Sequence, residues 1–595
     1  MKRYKTIPAW SAAPVLLLGS LLFTLLALLI SPGGFSGLQF AEEPLLLPLN
    51  WLPCFLLSAF LWGIFRNPFP AAAAAGLLVN LLAYANRIKT GCRNDPLMPA
   101  DLADLREALT ATSEYSLDLH WGLLAAILFC CAAAAALGLF FRCTRPKWYC
   151  RLAASVAAAA LFFLSMGAVY GNTALYAQLV PAVDKADVPL TYRSLGFPYC
   201  FLANYDRYTV QPPEDYFREE VERWAQADTA AYTVPNVQPN IIFVMCESFT
   251  DLADADAFSY VPEESPLYGY HQVAASGRAV SGHLIVPNSG AGTANTEFDV
   301  LTGMQTERLG ANSAFRTVRR QTNSLSRAFQ RAGYESFFLH PGYSWFYNRE
   351  SVYDYLGITD CIFQDEFAAE EYKGPTVSDA AFLSHLTAAL EARLGDAPLF
   401  AFGVTIQNHQ AYTYQKYGTQ PAPLPCKVNL SEEEAEALSV YLEGVRDASE
   451  MLLHLTEYLD AQSEPFLLVF FGDHRPALPE SVYHALGADK DALSAYETPY
   501  LIWANKAYAG DLPALPERMN ASYLGAAVYA LAGLSGLDPY FDELEAVQQI
   551  FSVTAHGQTI LADGTAAALT PAQRNLLHRL DCWAYYRLKD EPLIE

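Results

Sequence analysis

Positive charge is scarce in this chain. Its 595 residues carry 38 Lys and Arg against 63 Asp and Glu, a formal net charge of −25 at pH 7. Nucleic-acid binding needs basic surface, so that class is set aside, and bulk charge gives no means of docking on anionic lipid. Zinc-type cysteine spacing is also missing: there are 11 cysteines but no CxxC pair. Cys54, Cys130 and Cys131 lie in apolar runs. The six expected outside a membrane (Cys92, Cys200, Cys246, Cys361, Cys426, Cys582) are too scattered to define a pairing. There is no internal repeat, and no long low-complexity tract beyond Ala-rich segments, so a repeat architecture is not indicated.

Apolar residues are abundant, at 52%. Together with a large negative charge, that implies segregation into a lipid-embedded part and an acidic, water-exposed part. Five apolar stretches fill the first third, at 9–30, 45–65, 69–86, 121–141 and 152–171. Each is near the ~20 residues that cross a hydrocarbon core. "AAPVLLLGSLLFTLLALLI" contains no charge at all, which a buried soluble helix rarely sustains. The Ala-rich pieces suggest close helix contacts. The first stretch follows Lys2, Arg3 and Lys5 as a signal peptide would, but its apolar core exceeds the usual ~7–15 residues and four more spans follow, so a retained anchor is expected. Basic residues at the N-terminus and in "RCTRPKWYCR" place both inside. Five crossings then put everything after about residue 172 outside, although Arg87, Lys89, Arg93 and Arg106 sit on the predicted outer side. The expected localisation is the cell membrane, multi-pass, with an extracellular catalytic domain.

Four segments are expected: a five-helix transmembrane domain at 1–172, a connector at 173–235, an α/β catalytic domain at 236–540 and a C-terminal subdomain at 541–595. The connector has a helical stretch near 214–227. From 236 onward, short apolar β-rich runs alternate with longer helical ones. The strand candidates are 240–248, 335–342, 398–409 and 465–476. Such alternation indicates a mostly parallel sheet sandwiched by helices.

Each of those runs ends in residues able to do chemistry: Glu247 and Ser248, His340, Asn408 and His409, Asp473 and His474. Ligand sites of open α/β sheets lie beyond the carboxyl ends of the strands, so parallel neighbours would gather all four sets on one rim. Asp473-His474 at the mouth of a sheet suits a divalent ion. Glu247 needs a cation or donors if buried, and Ser248 reads as a helix N-cap. The stretch "NSGAGTANTEF" surrounds Thr293 with Asn288, Ser289, Gly290, Ala291 and Gly292, leaving room for a phosphate ester. Thr293 falls just before a helix start capped by Asn295 or Thr296, where anions are favoured, and Thr296 is a competing hydroxyl. An unactivated threonine is too weak an acid to attack phosphorus, but metal coordination changes that. Arg349, in "HPGYSWFYNRE", could fork onto a phosphate, with Phe346 or Tyr347 packing a small polyol. His409 suits phosphate binding and proton transfer.

These motifs together, "CES" at 246–248, "GAGTANTEFDVLTG" at 290–303, "HPGYSWFYNR" at 340–349, "NH" at 408–409 and "FGDH" at 471–474, resemble the lipoteichoic acid synthase family. Its members are membrane phosphoglycerol transferases of the alkaline phosphatase/sulfatase superfamily. The resemblance implies a manganese ion on Glu247, Thr293, Asp473 and His474, with Thr293 as nucleophile. It implies a glycerol-phosphate pocket lined by His340, Phe346, Tyr347, Arg349 and His409. Tyr347 stands where a compared member has Trp. The oxygen-rich ligand set suits Mn²⁺ or Mg²⁺, with Zn²⁺ as the alternative. Formylglycine sulfatases need a C/S-x-P-x-R motif, absent here, so ordinary sulfatase activity is not expected. The implied reaction takes glycerol phosphate from phosphatidylglycerol, or a related phospholipid, to a glycolipid or polyol-phosphate acceptor at the membrane. The rivals are a phosphoethanolamine transferase, a phosphodiesterase, or an inactive membrane-anchored binding protein.

Overall fold

The computed structural model describes residues 5–39, 43–93, 96–102, 120–144, 147–179, 188–205, 210–227, 235, 237–310, 313–395, 397–418, 423–566 and 568–594. Of the basic residues used to orient the spans, Lys2, Arg3, Arg106 and Arg145 lie outside them. The chain packs as two units, 1–208 and 209–595, and the division falls inside residues 173–235.

In the first unit, the described residues include five helices long and apolar enough to cross a membrane. They are α1 (Ala12–Ile30), α2 (Leu46–Phe65), α3 (Pro68–Gly91), α4 (Trp121–Phe140) and α5 (Trp148–Tyr170). Small residues set the contact between α1 and α3: a Cβ added at Gly76 would lie 2.2 Å from the ring of Phe23, as expected where close backbone approach replaces a hydrophobic driving force. Some buried polar side chains in this unit bond to helix carbonyls. Thr24 Oγ1 donates to the Ser20 carbonyl at 2.9 Å, and Asn80 Nδ2 donates to the Phe23 and Gly76 carbonyls at 3.0 and 2.8 Å.

The second unit is built on an eight-stranded sheet. Its strands are β1 (Asn240–Cys246), β2 (Ala279–Ile285), β3 (Glu335–Leu339), β4 (Asp360–Ile362), β5 (Leu399–Val404), β6 (Phe466–Gly472), β7 (Glu497–Ala504) and β8 (Arg518–Asn520). Their spatial order is β8-β2-β7-β6-β1-β5-β3-β4. The run β6-β1-β5-β3-β4 is parallel, and β7 is antiparallel to both neighbours. Both faces are covered, which is why the central strands are apolar without alternation. Ile241, Phe243 and Met245 of β1 join a core with helices α6 (Thr293–Thr302), α7 (Arg349–Leu356) and α10 (Pro571–Lys589). Ile242, Val244 and Cys246 face the other way, against α8 (Asp379–Arg393) and α9 (Glu432–Asp460). Each fully buried large apolar side chain contributes about 1.5–3 kcal/mol, so this double-sided core fixes the strand ends firmly. The five helices and the mostly parallel sandwiched sheet match the expected fold class. Helix α10 shares the core on the α6 face through Leu577, Leu580 and Trp583. Among the described residues, Cys246, Cys361, Cys426 and Cys582 are free thiols.

Candidate metal centre and phosphoryl site

Register brings the chemistry together. Gly472 of β6 pairs with Cys246 of β1, Met245 with Val404 of β5, and Gly403 with Leu339 of β3. The next residues along these parallel strands therefore emerge on one edge. Glu247, Asp473 and His474, all buried, offer ligand atoms within 4.8 Å of one another. His474 Nε2 lies 3.2 Å from Asp473 Oδ2 and 3.9 Å from Glu247 Oε1.

The hydrogen bonds around these groups orient them. Asp473 Oδ1 accepts from the backbone N–H groups of Ser248 and His474, each at 2.7 Å. Its other oxygen, Oδ2, is buried with no hydrogen-bond partner. Burial, and then the charge of Glu247, pushes the Asp473 carboxyl up to about 7. His474 Nδ1–H donates to the Arg475 carbonyl at 3.1 Å, which leaves Nε2 as a lone-pair donor facing the carboxylates. An orphaned carboxylate oxygen, a second carboxylate and an imidazole lone pair converging on one point fit a divalent cation.

Ser248 caps no helix. It sits at φ 53°, and its hydroxyl donates to Glu247 Oε1 at 2.9 Å, so its role here is to orient a carboxylate. Glu247 N–H donates to Thr405 Oγ1 at 3.0 Å, tying the β1 end to the β5 end.

Thr293 comes to the cluster from α6. The helix starts at Thr293 itself, one turn earlier than a cap at Asn295 or Thr296 would set it. Gly292 is the N-cap at φ 100°, a conformation a side chain would strain. A Cβ there would also lie 2.9 Å from Asn288. The small residues therefore shape the loop as well as clear space, and Gly290 N–H ties it to the Arg475 carbonyl at 2.9 Å. Thr293 Oγ1 lies 3.4 Å from His474 Nε2. The competing hydroxyl of Thr296 is committed elsewhere, donating to the Asp473 backbone carbonyl at 2.7 Å.

Around this core, Arg349 is buried and held by a residue that sequence motifs alone do not single out. Its Nε is 3.2 Å from both Glu297 carboxylate oxygens, its Nη2 also pairs with Glu297, and Tyr353 OH donates to the same carboxylate at 2.7 Å. Glu297 lies four residues after Thr293 on α6, on the same helix face, and that spacing was the available signal. Two arms of the guanidinium thus serve Glu297. The aromatic turn before α7 places Tyr347 and Asn348 at φ 57° and 54°, two successive left-handed residues without glycine. Backbone strain of this kind concentrates at functional sites. Phe346 and Tyr347 contact edge-on at 4.6 Å, and Arg349 lies over the Tyr347 ring at 5.2 Å. His340 is buried with Nδ1–H on the Val404 carbonyl at 2.9 Å. Burial, then the nearby Arg349 and His409, pushes it well below the usual histidine range, so it is neutral. His409 is half-buried, its Nδ1 2.9 Å from the Gln410 carbonyl.

Residues 239–534 match the sulfatase family model. A Rhizobium meliloti protein provisionally described as a cyclic beta-1,2-glucan modification protein is 27% identical over 472 residues, covering 75% of this chain and 71% of its own. Among solved structures, the integral membrane lipooligosaccharide phosphoethanolamine transferase A (EptA) of Neisseria meningitidis aligns over 90% of this chain and 98% of its own, with TM-score 0.53 and 14% identity. The Streptococcus pyogenes phosphoglycerol transferase GacH, solved with sn-glycerol-1-phosphate, covers 64% of this chain and 95% of its own, with TM-score 0.49 and 21% identity. The EptA likeness extends the shared fold to nearly the whole length, apolar helices included. With acid and imidazole groups at the strand ends of its sheet, behind helices fit to span a bilayer, this membrane protein carries a domain of the sulfatase family at residues 239–534.

Proposed function

We propose that this protein is a membrane-anchored phosphoglycerol transferase of the lipoteichoic acid synthase type. It moves glycerol phosphate from phosphatidylglycerol to a hydroxyl of a cell-envelope glycolipid or polyol-phosphate acceptor, through a phosphothreonine ester. One observation carries the reading: Thr293, at a helix N-terminus, sets its hydroxyl 3.4 Å from His474 Nε2, beside Glu247 and Asp473. Glu247, Thr293, Asp473 and His474 would hold Mn²⁺, with Mg²⁺ or Zn²⁺ as alternatives, and such an ion supplies charge neutralisation at phosphorus and a lower pKa for the threonine hydroxyl.

Thr293 Oγ1 gives up its proton to solvent and forms a bond to phosphorus, and the bond from phosphorus to the diacylglycerol oxygen breaks. The α6 N-terminus favours the phosphate charge. Arg349, rigidly oriented by Glu297, stabilises the phosphoryl oxygens. His409 is assigned to proton transfer to the departing oxygen. His340, Phe346 and Tyr347 line the glycerol side, with the neutral His340 offering Nε2 as an acceptor for a glycerol hydroxyl. In the second step an acceptor hydroxyl gives its proton to His409 and replaces Thr293 at phosphorus, and the threonine regains a proton from solvent. The basic N-terminus and the basic loop between α4 and α5 support an outer position for this unit, and anchoring raises its effective concentration at the lipid.

The test is intact-mass and peptide mapping of full-length protein incubated with Mn²⁺ and phosphatidylglycerol, with phosphatidylethanolamine in parallel. A phosphoglycerol adduct on Thr293, absent from Thr293→Ala, is expected. A phosphoethanolamine adduct would reassign the head group. No adduct on wild type, with turnover surviving Thr293→Ala, would refute the mechanism.

A further inference from the structure

Behind Glu247 lies a set of buried charges that the proposed reaction leaves unused. Lys416 follows the His409 turn, and its ammonium is clamped between two rings, 5.0 Å from the centre of Tyr412 and 4.9 Å from that of Tyr417. Its Nζ is buried and has neither a hydrogen-bond partner nor a carboxylate within 4.0 Å among the described residues. Asp379, at the start of α8, is buried with both carboxylate oxygens unpartnered. It is placed by its own N–H, which donates to Gln407 Oε1 at 2.8 Å. Tyr417 OH and Asn408 Oδ1 are further buried atoms without partners.

The charges facing Lys416 are Glu247 just past the end of β1, Asp379 from α8, Glu443 from α9 and Lys373. Lys373 is itself committed to Asp447 at 2.5 Å and Glu443 at 3.0 Å. That leaves Glu247 and Asp379 as two buried carboxylates with Lys416 as the cation in their field. An isolated buried carboxylate is costly, and cation–π contacts on two tyrosines stabilise an ammonium where no anion touches it.

We propose that Lys416 is a positioning residue of the metal centre: a fixed internal cation, clamped between Tyr412 and Tyr417, that balances Glu247 and Asp379 and thereby sets how tightly the centre holds a divalent ion. An internal ammonium keeps Glu247 compensated when no metal is bound and repels a dication when one arrives. Charge interactions in a dry interior reach beyond contact distance, and coupling between two sites is reciprocal. Burial opposes both charges, pushing the ammonium down to about 7 and the Asp379 carboxyl up to about 8, while Glu247 and Asp379 hold the ammonium up and Lys416 holds the carboxyl down.

The test is the affinity of full-length protein in detergent for Mn²⁺ alone, by competition with a chelating dye, for wild type, Lys416→Met, Asp379→Asn and the double variant. Lys416→Met is expected to tighten Mn²⁺ binding tenfold or more, and Asp379→Asn to weaken it tenfold or more. The double variant, which restores the charge balance, should return to within tenfold of wild type. A smaller change or the opposite sign in either single variant overturns the proposal, because a merely structural lysine would lower stability and leave affinity alone. If Lys416→Met does not fold, Asp379→Asn decides by the same criterion. The inference rests on the metal-centre reading above. Wild type that binds no Mn²⁺ refutes that reading, whereas wild type that binds while the variants match it refutes this inference alone.

Discussion

Two buried aspartates in the second unit share a burial and differ in everything else. Asp538, at the start of the Pro539–Gln548 helix, is fully buried, and its oxygens accept from Arg587 Nη1 and Nη2 at 2.9 and 2.6 Å and from Arg331 Nη2 at 3.0 Å. Burial alone would raise its carboxyl, but Arg587 and Arg331 hold it below the ordinary carboxylate range. Asp473 is just as buried, and its Oδ2 has no hydrogen-bond partner, only the His474 imidazole 3.2 Å away. Asp538 locks α10 onto the core and is complete as it stands. Asp473 is complete only when something positive joins it. A buried charge that is already paired supports structure, and one left unpaired at a strand end marks a site.

The comparison can be broken in several ways. Thr293→Ala should reduce phosphodiester turnover at least about 10³-fold, because the attacking group is gone, while metal content measured by mass spectrometry stays near wild type through the other three ligands. Asp473→Asn should lower divalent-metal affinity more than about a hundredfold and leave the chelated protein as stable as wild type or more so. Asp538→Asn should do the reverse. It strands Arg587 and should cost about 3–5 kcal/mol in denaturant unfolding, with metal affinity unchanged. If Asp538→Asn empties the centre or Asp473→Asn unfolds the chain, the distinction fails.

Acidity separates the same pair. The Asp473 pKa is raised in the folded chain, from 3.8 to about 7. Between those values the folded state retains a proton that the unfolded state has released, so this group's contribution to stability falls as pH rises through that window. The Asp538 pKa is lowered in the folded chain. Its contribution is present above the ordinary carboxylate value and lost as pH falls through the lowered one. Unfolding of chelated protein across pH 4 to 8 should therefore show a decline that Asp473→Asn flattens and Asp538→Asn does not. The smallest effect is expected for Thr296→Val. It should cost about 1 kcal/mol, the loss of one hydrogen bond to the Asp473 carbonyl, and leave adduct formation on Thr293 intact.

Much of this arrangement was legible because a strand covered on both faces must be apolar at every position, and such a run stands out between amphipathic helices. The runs at 240–248, 335–342, 398–409 and 465–476 became β1, β3, β5 and β6, parallel neighbours with their polar ends on one edge. Strands β2 and β7 were not legible. "AVSGHLI" interrupts its apolar pattern with Ser281, Gly282 and His283, and "ETPYLIWA" contains Pro499, which argues against an interior strand. The structure resolves the conflict: β7 pairs with β6 only over Tyr500–Ala504, so Pro499 lies past the end of that ladder. At the site, strand ends predicted which acid and imidazole groups gather on one edge, whereas side-chain partnerships were beyond the sequence. Nothing near Arg349 announces that its guanidinium is taken by Glu297, 52 positions away, and Lys416 looks like any loop lysine until it is seen to be buried.

The central claim is that Glu247, Thr293, Asp473 and His474 share one divalent ion. Anomalous diffraction at the manganese edge, from crystals of the full-length protein grown with Mn²⁺, tests it most directly. One strong peak within bonding distance of all four side chains, Thr293 Oγ1 among them, is the predicted result. A peak elsewhere, or one that binds the other three and leaves Thr293 out of reach, would contradict the account.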